Sequence, residues 1–68
     1  MKYGVRNTLN ATVTKVKQGD VMSQIECKLK AGVISSVLTT DSVQELDLKK
    51  GDQILLLVKA IHVIPVKE

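Results

Sequence analysis

Apolar and polar residues alternate along most of the chain. Leu9, Ala11 and Val13 alternate with Thr8, Asn10, Thr12 and Thr14, the period of two that turns one face of a strand inward. The next apolar residue, Val16, comes out of phase, which predicts a bulge or a strand end after Val13. Gln18-Gly19-Asp20 predicts a turn with Gly19 at positive φ. Val21, Ser23, Ile25, Cys27 and Leu29 then share one face, opposite Met22, Gln24, Glu26, Lys28 and Lys30. Lys30-Ala31-Gly32 turns the chain into a third strand over residues 33–38, with apolar residues on both faces. Residues 54–58 are continuously apolar, as in a strand buried on both sides. After Lys59-Ala60, the run Ile61-His62-Val63-Ile64 predicts a last strand, and Pro65 suits its edge or end.

Between the third strand and the apolar run the period changes. Val43 and Leu46 fall at i and i+3, one stripe of a helix of one to two turns. Asp41 or Ser42 can cap its start, and Ser42 with Glu45 has capping-box spacing. Lys50-Gly51-Asp52 closes the unit in a turn. The expected fold is all-β: a single domain, residues 1–68, built as a small five-stranded OB-like Greek-key barrel with one short helix after strand three.

Composition raises the question of what covers this chain. A body of 68 residues buries only about 60% of the surface its unfolded form exposes. One cysteine, Cys27, makes no intrachain disulfide, and no Cys/His cluster offers a structural metal. Yet 44% of the residues are apolar, more aliphatic surface than so small a body covers alone. The continuous run at 54–58 is the strongest sign that copies of the chain cover one another. No apolar run reaches the roughly 20 residues that span a bilayer, the start carries no signal-peptide pattern, and a lone thiol suits a reducing compartment. The chain reads as cytoplasmic, with no membrane partner.

Catalytic chemistry finds no footing. His62 lies in an apolar stretch without a partner, the seven acids are scattered, and no nucleophile–base pair or metal-ligand spacing occurs. Nucleic-acid binding on an OB-like surface needs aromatic platforms in a basic groove, and Tyr3 is the one aromatic residue. A net charge of +3 with scattered lysines suits a smaller anion. Three patches gather donors of the kind an oxyanion needs. They are Gly4-Val5-Arg6-Asn7, Thr39-Thr40-Asp41-Ser42 at the start of the helix, and Lys59-Ala60 between two apolar stretches. Read singly, each has a plainer role: Thr39 and Ser42 as helix caps, Arg6 as a solvated charge, Lys59 as an edge lysine with its stem on apolar surface.

Taken in order, the patches resemble the molbindins, the Mop-type molybdate-binding proteins, over nearly the whole chain. The family pattern Ser-Ala-Arg-Asn-x-Leu stands here as Gly4-Val5-Arg6-Asn7-Thr8-Leu9. Thr-x-x-Ser-Val-x-x-Leu stands as residues 39–46, followed by Leu48 and Gly51. The closing Lys-Ala/Ser-Ser/Thr-x-Val pattern stands as Lys59-Ala60-Ile61-His62-Val63. The resemblance implies an OB-like barrel assembled as a homohexamer, a trimer of dimers. It implies molybdate or tungstate bound at subunit interfaces for storage, buffering or homeostasis, and no enzyme activity. The oxyanion-binding positions it implies are Val5, Arg6, Asn7, Thr39, Ser42, Lys59 and Ala60. Two family hydroxyls are replaced, one by Gly4 and one by Ile61.

Two alternatives follow from other features. The turn Leu46-Asp47-Leu48-Lys49-Lys50-Gly51-Asp52 before an apolar strand is similar to that of swapped-hairpin DNA-binding regulators. The losses at Gly4 and Ile61 also suit an oligomerisation domain without oxyanion binding.

Overall fold

The computed structural model describes residues 7–67. Four strands, β1 (Asn7–Gln18), β2 (Met22–Leu29), β3 (Gly32–Thr39) and β4 (Gln53–Val58), form one antiparallel sheet in the order β3-β2-β1-β4. The helix α1 (Thr40–Glu45) follows β3, and a single 3-10 turn, η1 (Ala60–His62), follows β4. The fold is all-β with one short helix and is consistent with an OB-like architecture.

The alternation in β1 and β2 builds the core. Ala11, Val13, Ile25 and Cys27 are buried, with Val16, Leu29, Ile34, Leu38, Leu48, Ile54 and Leu56 packed around them. Burial removes the Cys27 thiol from water and pushes its pKa up, so it acts as a small apolar side chain rather than a nucleophile. The phase slip in β1 is a bulge. Val13 pairs with Cys27 but Lys15 pairs with Glu26, so the extra residue returns Val16 to the inner face beside Ile25.

The turns contain two departures from expectation. Gly19 is not among the positive-φ residues of the described chain; those are Asp47, Gly32 and Gly51. A close approach demands glycine at position 19, because a Cβ there would collide with the Met22 carbonyl oxygen. Gly51 does need its conformational freedom: its φ is +97° while its N–H reaches the Val13 carbonyl at 2.7 Å. Gly51→Ala is expected to cost about 1–2 kcal/mol of stability in denaturant unfolding, the left-handed penalty for a Cβ. An unchanged midpoint would show that the turn rearranges freely.

Strand four differs from the both-faces-buried expectation. Its outward residues Leu55 and Leu57 are half exposed, while Ile54 and Leu56 face the core. The fifth strand is also absent from the described residues. Residues 60–62 wind into η1, and residues 63–67 beyond it take no regular structure and are solvent-exposed, so Ile61, Val63, Ile64 and Val66 stand uncovered. A strand needs a neighbour for its backbone groups, and none within the described chain lies beside it. β3 and β4 are therefore the free edges of the sheet.

Candidate functional site

The sheet register sorts the sequence-predicted residues into two groups. Thr39 ends β3 opposite Met22, beside the β1–β2 turn that follows Gln18. Asn7 begins β1 opposite Val58, and Lys59 and Ala60 follow directly. The groups lie at opposite ends of the twelve-residue strand β1, on the order of 30 Å apart at ~3.3 Å per residue. One tetrahedral anion cannot touch both groups of a single chain. Val5 and Arg6 lie outside the described residues, next in sequence to Asn7.

At the first end, Thr39 is the helix N-cap. Its backbone is extended, φ −68° and ψ 148°, and its Oγ1 accepts the Ser42 N–H at 3.1 Å. The cap thus falls ahead of the expected Asp41 or Ser42, because Thr40 already takes helical geometry. Ser42 occupies the third helical position and answers through its own hydroxyl rather than pairing with Glu45: the two oxygens are 2.7 Å apart. Proton counting then limits what this pair can give. Two hydroxyls hold two protons, and one lies between the oxygens whichever of them donates. The second has no partner among the described residues and is available outward. The pair therefore presents one O–H donor to a ligand. Asp41, exposed in the first turn of α1, sets a carboxylate nearby.

At the second end, Asn7 is half-buried in the ladder with β4. Lys59 is extended, φ −67° and ψ 136°, and its side chain is exposed. Its carbonyl accepts the His62 N–H at 2.9 Å, which closes η1 and leaves Ala60 exposed beside it. His62 is exposed, and no group of three His, Cys, Asp or Glu residues able to hold a metal occurs among the described residues. The end thus offers an exposed cation and backbone amides, which suits an anion and not a metal cation.

The remaining charges act elsewhere. Asp47 takes φ 51° just after α1, and its carboxylate lies 3.1 Å from the Lys49 ammonium. That hydrogen bond, with the charges of Asp47 and Asp52, raises the Lys49 pKa. Both side chains are open to solvent, so the pair adds little to stability. In the same loop before β4, the Asp52 carboxylate accepts the Lys49 N–H at 2.9 Å.

Ser23 was not singled out from sequence as part of this end, and Thr40 stood only within the donor patch 39–42; both are buried and bonded to each other at 2.7 Å. The signal was present in β2. Ser23 stands on the apolar face between Val21 and Ile25, and a buried hydroxyl requires a partner.

Comparison with known proteins gives a consistent result. Residues 5–65 match the TOBE domain family. The chain is 32% identical over 65 residues to molybdenum-pterin-binding protein 2 of Clostridium pasteurianum, covering 94% of this chain and 96% of that protein. It is 37% identical to the molybdenum-pterin-binding protein MopA of Rhodobacter capsulatus, of which it spans only 24%. Among solved structures, a molybdate-binding protein from Sporomusa ovata superposes with a TM-score of 0.93 at 40% identity, covering 98% of this chain and all of that one. ModG, described as a cytoplasmic molybdate-binding protein and solved with molybdate bound, superposes with a TM-score of 0.83 at 33% identity. That match covers 88% of this chain and 43% of ModG.

Proposed function

Since the chain belongs to the TOBE-domain family and, within it, to the Mop-type molbindins, we propose that it binds molybdate between copies of itself. The observation that carries this reading is its likeness to the Sporomusa ovata molybdate-binding protein over the full length of both chains. The role is binding rather than catalysis: storage, buffering or homeostasis of the oxyanion in the cytoplasm. Tungstate, a tetrahedral dianion like molybdate, is accepted by the same donors.

The two-ended layout supports sites shared between copies. Thr39 and Ser42 of one copy meet the Val5, Arg6, Asn7, Lys59 and Ala60 end of another. The hydroxyl pair contributes one O–H, the main chain at Val5 and Ala60 contributes amides, and the Asn7 side chain supports them. Arg6 and Lys59 supply the positive charge that a dehydrated dianion requires. The assembly is a homohexamer arranged as a trimer of dimers, in which the open sheet closes into a five-stranded Greek-key barrel. The uncovered apolar segment after η1 and the free edge of β3 support assembly, since each lacks a neighbour among the described residues.

Isothermal titration with molybdate tests the function. Saturable heat is expected with protein and ligand in the tens of micromolar, a range where about −6 to −8 kcal/mol of binding free energy is readable. No heat under those conditions would sink the proposal. Asp41 supplies a second test, because its exposed carboxylate lies beside the hydroxyl pair. Asp41→Asn is expected to tighten molybdate binding by about two- to fivefold at low salt, with the gain fading as salt rises. Equal affinity at low salt would place the anion away from α1.

A further inference from the structure

We propose that Ser23 and Thr40 are positioning residues that hold the Thr39–Ser42 hydroxyl pair in place through a closed hydrogen-bond ring on Gly19. The assignment rests on the reading that this pair contacts the oxyanion.

The ring has one possible direction. Thr40 Oγ1 donates to the Gly19 carbonyl at 2.8 Å, which uses its only proton. At 2.7 Å from Ser23 Oγ it can then only accept, so Ser23 is the donor of that bond. Ser23 Oγ in turn accepts the Gly19 N–H at 3.4 Å. The bonds run from Gly19 N–H to Ser23, to Thr40 and back to the Gly19 carbonyl. Each hydroxyl both gives and receives. Thr40 adds a main-chain bond, its N–H reaching the Val21 carbonyl at 2.8 Å. Two bonds from one residue thus tie the first turn of α1 to the β1–β2 turn.

α1 needs that tie. A helix of six residues is too short to hold itself together in water. Only Thr40 and Val43 of its residues are buried. Val43 fixes the inner side of the helix, and Thr40 fixes where its first turn begins. Thr39, the preceding residue, and Ser42, two residues on, take their positions from that turn. Without the ring the buried Ser23 hydroxyl loses its acceptor, the Gly19 carbonyl loses its side-chain donor, and the first turn loses its anchor. Position 19 also admits no side chain, because a Cβ there would collide with the Met22 carbonyl oxygen.

Molybdate titration of wild type, Thr40→Val, Thr40→Ser, Ser42→Ala and the Thr40→Val/Ser42→Ala double variant tests this. Circular dichroism melts set a temperature at which every variant is folded. Thr40→Val keeps the shape but not the hydroxyl, and is expected to bind about tenfold more weakly. Thr40→Ser restores the hydroxyl and is expected to stay within about twofold of wild type. The double variant is expected to be little weaker than Ser42→Ala alone, because Thr40 acts through the pair. Should Thr40→Val prove insoluble, Ser23→Ala breaks the ring from the β2 side and enters the same cycle. Wild type without molybdate heat, or Ser42→Ala with wild-type affinity, overturns the reading of the site. Wild-type binding that is lost in Ser42→Ala but kept in Thr40→Val overturns the positioning role alone. Additive losses in the double variant, or a Thr40→Ser as weak as Thr40→Val, also overturn it.

Discussion

Replacing Ile61, Ile64 and Val66 together with serine is expected to break the assembly into smaller units and to abolish molybdate binding with it. The three side chains are 80% or more exposed in the single chain, so the protomer loses no packing of its own. Each is worth about 1.5–3 kcal/mol when transferred from water into a covered site. Three such losses recur in every copy and outweigh the margin by which small interfaces hold. Binding is lost because an anion held by residues of two copies binds only the assembled state, and molybdate in turn stabilises that state. Analytical ultracentrifugation reads the result: a lower mass for the triple variant, with the circular dichroism spectrum of the sheet retained. The wild-type mass in the variant would mean that copies meet through another surface.

The second large effect is expected from charge. Arg6→Ala is expected to weaken molybdate binding by about 1–3 kcal/mol, or roughly five- to 150-fold, the cost of a lost charge-assisted hydrogen bond. Lys59→Ala is expected to act in the same direction with a smaller loss, because an ammonium on a flexible stem gives up more freedom in each bond than a planar guanidinium. Lys59 follows the β4 residue paired with Asn7, and Arg6 directly precedes Asn7 in the sequence. Losses in the two variants are therefore expected to be non-additive. Titration of both single variants and the double variant checks this, and wild-type affinity in Arg6→Ala would move the site elsewhere.

Much of the sheet was legible because its signals are local. The alternation through Ala11 and Val13, the slip before Val16, and the apolar face of Ser23, Ile25 and Cys27 appear in the structure as the core and its bulge. The cap was harder to locate because Thr39, Thr40, Asp41 and Ser42 are four capping types in a row. Tertiary contacts decide among them: Thr40 turns inward to Ser23 and Gly19, which leaves Thr39 as the cap. The segment after Lys59 shows a different limit. Its apolar residues mark a surface that needs covering, but periodicity carries no information on which chain covers it. The same holds for the outer face of β4, where Leu55 and Leu57 stand exposed in the single chain.

The candidate site was legible as residue types and not as geometry. Spacing along the chain placed Thr39 and Ser42 three apart, and the helix makes them neighbours. Nothing in that spacing shows that β1 separates them from Asn7 and Lys59; that follows from strand pairing. The separation makes the difference between a site within one chain and a site between two.

Anomalous scattering from crystals grown with molybdate tests that difference most directly. The expected result is a molybdenum peak between two copies, within hydrogen-bond distance of the Thr39–Ser42 pair of one and of Arg6 or Lys59 of the other. A peak whose contacts all come from one copy, or no peak at saturating molybdate, would contradict it.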